Sequence, residues 1–186
     1  AALAECEQKI AELESRLSAE LSGSEVYLLN SSGGKPFLAG GETVSIIKTA
    51  ASVSERSGGA FDITVRPIVK AWGFTGGDYR VPADFELAEL LKSVDYTNIK
   101  MNGDTITLEN GAQIDLGGIA KGYASDELEK ILTDNKIGSA VLSLGGNVLA
   151  YGSRPDGSAW RIGISKPDGS ADIAAVLRVR DTCVVT

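Results

Sequence analysis

Between Asp115 and Gly122 the sequence reads Asp-Leu-Gly-Gly-Ile-Ala-Lys-Gly, placing a carboxylate, a glycine pair and a lysine within one short stretch. An amphipathic helical pattern begins at about Ala120, so Lys121 falls in the first helical turn with Gly122 behind it. A cation beside the positive end of a helix dipole costs a few tenths to about 1 kcal/mol. A glycine inside a helix costs about 1 kcal/mol relative to alanine. Both residues make sense if an anion lies at the turn, because free N–H groups at a helix start favour a phosphate or carboxylate that close-packed glycines let approach. Lys121 then becomes a partner of that anion, and Asp115 pairs with the lysine or accepts from the ligand. The residues equally allow a structural arrangement, with Lys121 in solvent and Gly122 permitting close helix packing.

The common phosphate loops do not describe this stretch. A P-loop requires glycine immediately before its lysine and Ser or Thr immediately after, whereas Ala120 and Gly122 flank Lys121. The dinucleotide fingerprint needs glycines at first, third and sixth positions, and Gly117, Gly118 and Gly122 do not fit it. The chain has no histidine, which removes the commonest general base and metal ligand. Its chemistry must therefore use carboxylates, lysine, backbone groups or residues supplied from outside these 186.

The length suits one domain with a substantial core, and 43% hydrophobic content fits a globular class. The net charge is −7 and the basic residues are dispersed, so the footprint of a nucleic-acid binder is absent and small molecules or proteins are the expected partners. No apolar run approaches the roughly 18 residues that span a bilayer. With no charged-then-apolar leader ahead of Ala1, the chain as it stands is expected to be soluble. Leu3-Ala4-Glu5-Cys6 has the small-residue-then-cysteine order of a lipoprotein signal, but Glu5 is wrong for one. Leu3, Cys6, Ile10, Leu13 and Leu17 share one helical stripe, which makes Cys6 a small core residue. Cys6 and Cys183 form neither a disulfide framework nor a metal motif.

Several elements must position the glycine stretch. Helices are predicted over residues 2–18, 42–56 with Gly58-Gly59 as a stop, 82–94 with Leu87, Leu90, Leu91 and Val94 inward, and from about 120 to 135. Val26, Leu28 and Leu29 suggest a short strand. Phe61, Ile63 and Val65 alternate with Asp62 and Thr64 as in a half-buried strand, and 114–116 looks strand-like. Asn102-Gly103 marks a hairpin. From Ser139 onward, turns at Gly145-Gly146-Asn147, Pro155-Asp156-Gly157 and Pro167-Asp168-Gly169 separate strands of an antiparallel meander. Helices and strands mix without a strand-helix-strand rhythm, so the class is α+β. Trp72 and Trp160 are read as core residues, Thr64 as structural, and the Gly145–Asn147 turn as a hairpin with or without a role at a ligand's edge.

Three blocks, "GGAFDITVRPIVKAWGF", "IDLGGIAKGYASD" and "SLGGNVLAYG", in this order and spacing, resemble the landmarks of the ApbE family of FAD:protein FMN transferases. Leu17-Ser18, Ser24-Glu25 and Asn30 resemble more loosely the segment ahead of them. The resemblance implies an ApbE-like mixed fold, with a mainly antiparallel sheet and flanking helices. It implies magnesium-dependent transfer of FMN from FAD to a Thr or Ser of a target flavoprotein, with release of AMP. Ala60, Phe61 and Asp62 would line the flavin nucleotide site, Asp115 and Lys121 would contact FAD with Lys121 near the diphosphate, and the Gly118 carbonyl would ligate Mg2+. No catalytic residue can be assigned.

Family members continue past the place of "DTCVVT" into a His-containing and an Asp- and Thr-containing metal segment. The expectation is therefore a single domain over 1–186 that is incomplete at its C-terminus, with the remaining metal ligands on a further segment or a companion chain. Location outside the cytoplasm, as a membrane-anchored lipoprotein or at the periplasm or cell surface, is a further family expectation. Where some relatives place an aromatic against the flavin, this chain has Glu20, which leaves the balance between FMN transfer and FAD hydrolysis open. The competing expectation is an FAD-binding or FAD-hydrolysing module without transferase activity, or a structural remnant of the fold.

Overall fold

The computed structural model describes residues 1–185, which divide into two compact units. One comprises 11–120; the other joins 1–10 to 121–186. The boundaries fall inside helix α1 (Ala2–Leu17) and at the first residue of helix α6 (Ala120–Asp134). Among the described residues no helix is long and apolar enough to cross a membrane.

On α1 the predicted stripe is partly realised. Cys6, Leu13 and Leu17 are buried, whereas Leu3 is 63% exposed because it sits in the helix's first turn. Burial, with Glu5 and Glu7 adding to it, pushes the Cys6 thiol pKa up and disfavours the thiolate.

In the 11–120 unit, the predicted strand at Val26–Leu29 is instead helix α2 (Glu25–Asn30). Ser24 decides this: its hydroxyl accepts the Tyr27 N–H at 3.0 Å, capping a helix that buries Val26 and Leu29 one turn apart. The Glu25 carboxylate also accepts the Gly40 N–H at 2.8 Å, just before helix α3 (Gly41–Arg56). α3 buries Val44, Ile46, Ile47 and Ala50 and stops where Gly58 and Gly59 take φ of 63° and 82°.

Strands β1 (Phe37–Leu38), β2 (Ile99–Asn102) and β3 (Thr105–Leu108) form an antiparallel sheet in the order β1-β3-β2, with the expected hairpin at Gly103. Helix α4 (Arg66–Ala71) has Pro67 in its first turn. Helix α5 (Asp84–Leu90) is shorter than predicted and tightens into a 3-10 turn over Leu91–Ser93, which leaves Leu91 54% exposed rather than inward. Ile46, Ile47, Ile63, Ile106 and Ile114 lie at the unit's core.

In the other unit, strands β4 (Ser139–Leu144), β5 (Asn147–Gly152) and β8 (Thr182–Val185) form an antiparallel sheet in that order. Among the described residues, strands β6 (Trp160–Ser165) and β7 (Ile173–Val179) pair only with each other. The chain is thus not a simple meander, because β5 takes β8 as its second neighbour and leaves β6–β7 as a separate ribbon. Leu128 and Leu132 of α6 are buried, as are Leu149, Ala150 and Val184 of the sheet. Among the described residues the pairings between these strands are all antiparallel and helices accompany them, as the α+β reading requires.

Candidate functional site

After α3 the chain does not enter the predicted strand at 61–65. It turns, and Asp62 holds the turn: Oδ1 accepts from the Thr64 N–H and the Thr64 hydroxyl, each at 2.7 Å, while Oδ2 accepts the Tyr96 N–H at 2.8 Å. An aspartate that bonds the backbone two residues on competes with a strand ladder. Pro67 in the first turn of α4 then favours helix directly afterwards. The Ser57 hydroxyl accepts the Phe61 N–H at 3.0 Å, and Thr64 is fully buried, in keeping with its structural reading.

Residues 113–116 run alongside this turn. They form a single parallel bridge, Val65 to Gln113, and a bond from the Asp115 N–H to the Ile63 carbonyl at 2.8 Å, rather than the predicted strand. The polar partner of Ile114 is a side chain. Asn30 accepts the Ile114 N–H at 2.7 Å and donates to its carbonyl at 2.9 Å, as a neighbouring strand would. Asp115 Oδ1 then accepts the Gly117 N–H at 2.7 Å, bending the chain toward α6.

The glycines here have a steric reason. A Cβ on Gly117 would stand 2.9 Å from Asp115 Oδ1, and one on Gly118 would stand 3.2 Å from Phe61 Cε2. The structure therefore brings Phe61 and Asp62 together with Asp115 and Gly118, residues far apart in sequence. A cavity of about 540 Å3 in the same unit lies elsewhere, between Asn30, Gly33, Gly34 and the 108–113 loop, and is lined by none of the predicted site residues.

Lys121 belongs to the other unit, where it meets the β4–β5 turn. Its Nζ donates to the Gly145 carbonyl at 2.9 Å, so the lysine has a protein partner. Gly145 and Gly146 both have positive φ, 56° and 95°, as a two-residue hairpin demands. Asn147 follows at 1% exposure. The packing alternative for Gly122 fails, since among the described residues nothing beyond its chain neighbours and the helix's own backbone lies within 4 Å of a Cβ placed there.

Sequence reasoning missed Arg66. It is 5% exposed, and its guanidinium donates to Glu20 at 2.8 Å. Glu20 thus neutralises a buried cation at the position where an aromatic was sought. Trp72 is a partial correction: it is half-buried at the end of α4 and stacks on the exposed Phe74, with centroids 6.0 Å apart. Trp160 is also half-buried, and its Nε1–H donates to the Tyr151 carbonyl at 3.2 Å.

A family model described as the ApbE family matches residues 2–186. The chain belongs to the ApbE family. It is 32% identical to an FAD:protein FMN transferase of Treponema pallidum, over 100% of this chain and 56% of that protein. It is 30% identical to an FAD:protein FMN transferase of Vibrio cholerae, over 88% and 50%. The crystal structure of the ApbE protein of Thermotoga maritima matches with a TM-score of 0.91 and 30% identity, covering 98% of this chain and 60% of that one. The flavin transferase ApbE of Vibrio cholerae matches with a TM-score of 0.86 and 27% identity, covering 98% and 60%. This ApbE chain thus spans between half and three fifths of the length of these relatives.

For an ApbE chain the donor chemistry bears on magnesium. The Gly118 carbonyl is an oxygen of the class magnesium takes. Among the described residues, however, no group of three or more His, Cys, Asp or Glu side chains could hold a metal ion. These residues fit one coordination position, not a complete set.

Proposed function

We propose that this chain is the flavin-nucleotide-binding portion of an FAD:protein FMN transferase, which moves FMN from FAD to a Thr or Ser hydroxyl of a target flavoprotein and releases AMP. The observation that carries the reading is the Gly117–Gly118 turn against Phe61, followed directly by the start of α6. The glycines let Phe61 and the Asp115 carboxylate close on the turn, and a helix that starts directly after such a turn favours an anion at its N-terminus. The names of the relatives supply the class of ligand.

In the reaction the acceptor hydroxyl oxygen bonds to the phosphorus of the FMN half, the bridging P–O bond of the diphosphate breaks, and the hydroxyl proton passes to a base. Such transfer depends on positioning and on neutralising charge more than on covalent help from protein groups. Phe61 and the Asp62 turn are assigned to the flavin nucleotide, and Lys121 to the charge of the diphosphate. Magnesium, when bound, would add charge neutralisation, and the Gly118 carbonyl would be one of its ligands. The base lies outside the groups assigned here. The exposed apolar residues of the β6–β7 ribbon, Ile173 at 52%, Val176 at 49% and Leu177 at 41%, support the reading that further polypeptide completes the fold. A two-stranded ribbon by itself is marginal in water.

The test is Lys121→Ala in the protein with its transfer activity intact. FAD binding, read by flavin fluorescence, is expected to weaken by about 1.5–3 kcal/mol, the scale of a charge-assisted hydrogen bond. Folding stability should fall by at most about 1 kcal/mol for the lost bond to Gly145. Covalent flavin on an acceptor peptide and released AMP should fall together. Unchanged FAD affinity would mean that the lysine only fastens the hairpin.

A further inference from the structure

Asn147 is almost wholly buried at 1% exposure, at the start of β5 where it pairs with Leu144 on one side and Val185 on the other. Its Nδ2 donates to the Lys121 carbonyl at 2.9 Å and to the Ser125 hydroxyl at 2.9 Å. The Ser125 hydroxyl in turn donates to the same Lys121 carbonyl at 3.0 Å. Two residues earlier, Gly145 offers its carbonyl to Lys121 Nζ at 2.9 Å. The hairpin therefore grips Lys121 at both ends, backbone and ammonium. Among the described residues nothing bonds the buried Asn147 Oδ1 atom, so the amide is held through its Nδ2 donors alone.

Taking the proposed role of Lys121 as its premise, we infer that Asn147 is a positioning residue for FAD binding, acting through Lys121, with Ser125 as its support. A flexible lysine side chain has many rotamers, and fixing its backbone while giving Nζ a weak neutral acceptor keeps the ammonium near one place. The Gly145 carbonyl is a partner that a diphosphate, with its stronger charge-assisted bonds, can replace. The Gly145–Asn147 turn thus works by holding the group that touches the ligand.

A double-mutant cycle on FAD affinity tests this, using flavin fluorescence with thermal unfolding recorded for each variant. Asn147→Ser alone is expected to weaken FAD binding about tenfold, a loss of about 1.4 kcal/mol. In a Lys121→Ala background the same change should alter FAD affinity less than about twofold, because the group it positions is gone. A merely structural role for Asn147 lowers the unfolding temperature equally in both backgrounds and leaves FAD losses additive, which would overturn the inference. Ser125→Ala is the second variant, usable if Asn147→Ser does not fold; it should weaken FAD binding less, and again only where Lys121 is present. If Lys121→Ala by itself leaves FAD affinity intact, the diphosphate reading fails. If Lys121→Ala weakens binding but Asn147 and Ser125 act additively with it, only the clamp fails.

Discussion

Asp62 has both carboxylate oxygens engaged by the protein: Thr64 through its N–H and hydroxyl on one side, and the Tyr96 N–H on the other. A carboxylate so placed shapes the loop that presents Phe61 before it makes any contact of its own. Removing it strands two backbone donors in a partly buried turn, each costing about 1–3 kcal/mol when left unmade. Asp62→Ala should therefore lower stability in urea unfolding by about 2–4 kcal/mol. Asp62→Asn, which keeps one acceptor oxygen, should fall between the two. A loss below about 0.5 kcal/mol, the size of an ordinary surface change, would show that the turn is held by something other than this side chain. Arg66 and Glu20 pose a related case, since taking away Glu20 leaves a buried guanidinium without its counter-charge.

At the scale of elements, α6 combines a costly glycine with open space around it. Among the described residues no atom beyond its chain neighbours and the helix's own backbone lies within 4 Å of a Cβ on Gly122, so Gly122→Ala should stabilise the protein by about 0.5–1 kcal/mol through helix propensity. If a diphosphate approaches the helix start, the same methyl should weaken FAD binding, and the opposed movements of unfolding temperature and FAD affinity are the measurement. A gain in stability with unchanged affinity would place the ligand away from Gly122. The long helices α3 and α6 were legible because amphipathic spacing and glycine stops act locally, as were the hairpins at Gly103 and Gly145-Gly146. Residues 25–30 and 61–65 misled because their β-branched and apolar content outweighs, to the eye, a single Ser24 cap or Asp62 turn. The glycine block could be read from residue types alone. The Asn147–Lys121 and Arg66–Glu20 pairs could not, because they join positions 26 and 46 residues apart and leave no periodic trace.

For the molecule as a whole, the decisive quantity is how much of the ApbE fold these residues hold, 60% of the Thermotoga maritima chain at a TM-score of 0.91. With no group of three or more His, Cys, Asp or Glu side chains able to hold a metal among the described residues and no base assigned, the 186-residue chain by itself, given FAD, magnesium and an acceptor peptide, is expected to yield no covalent flavin. Supplying polypeptide that carries the remainder of the fold should bring transfer back, and only with magnesium present. In-gel flavin fluorescence reads both arms, and strong transfer by the chain alone would sink the division of labour proposed here. The bond between Asn30 and Ile114 adds a matter of timing. It closes a span of 84 residues, whose ends must lose freedom before the bond forms. On a ribosome adding about 5–20 residues per second, Asn30 therefore waits for its partner through several seconds of synthesis. During that interval α2 can hold Gly40 through Glu25 but its Asn30 amide has no Ile114 to pair with, and the turn bearing Asp115 is closed on that side only once Ile114 has left the exit tunnel.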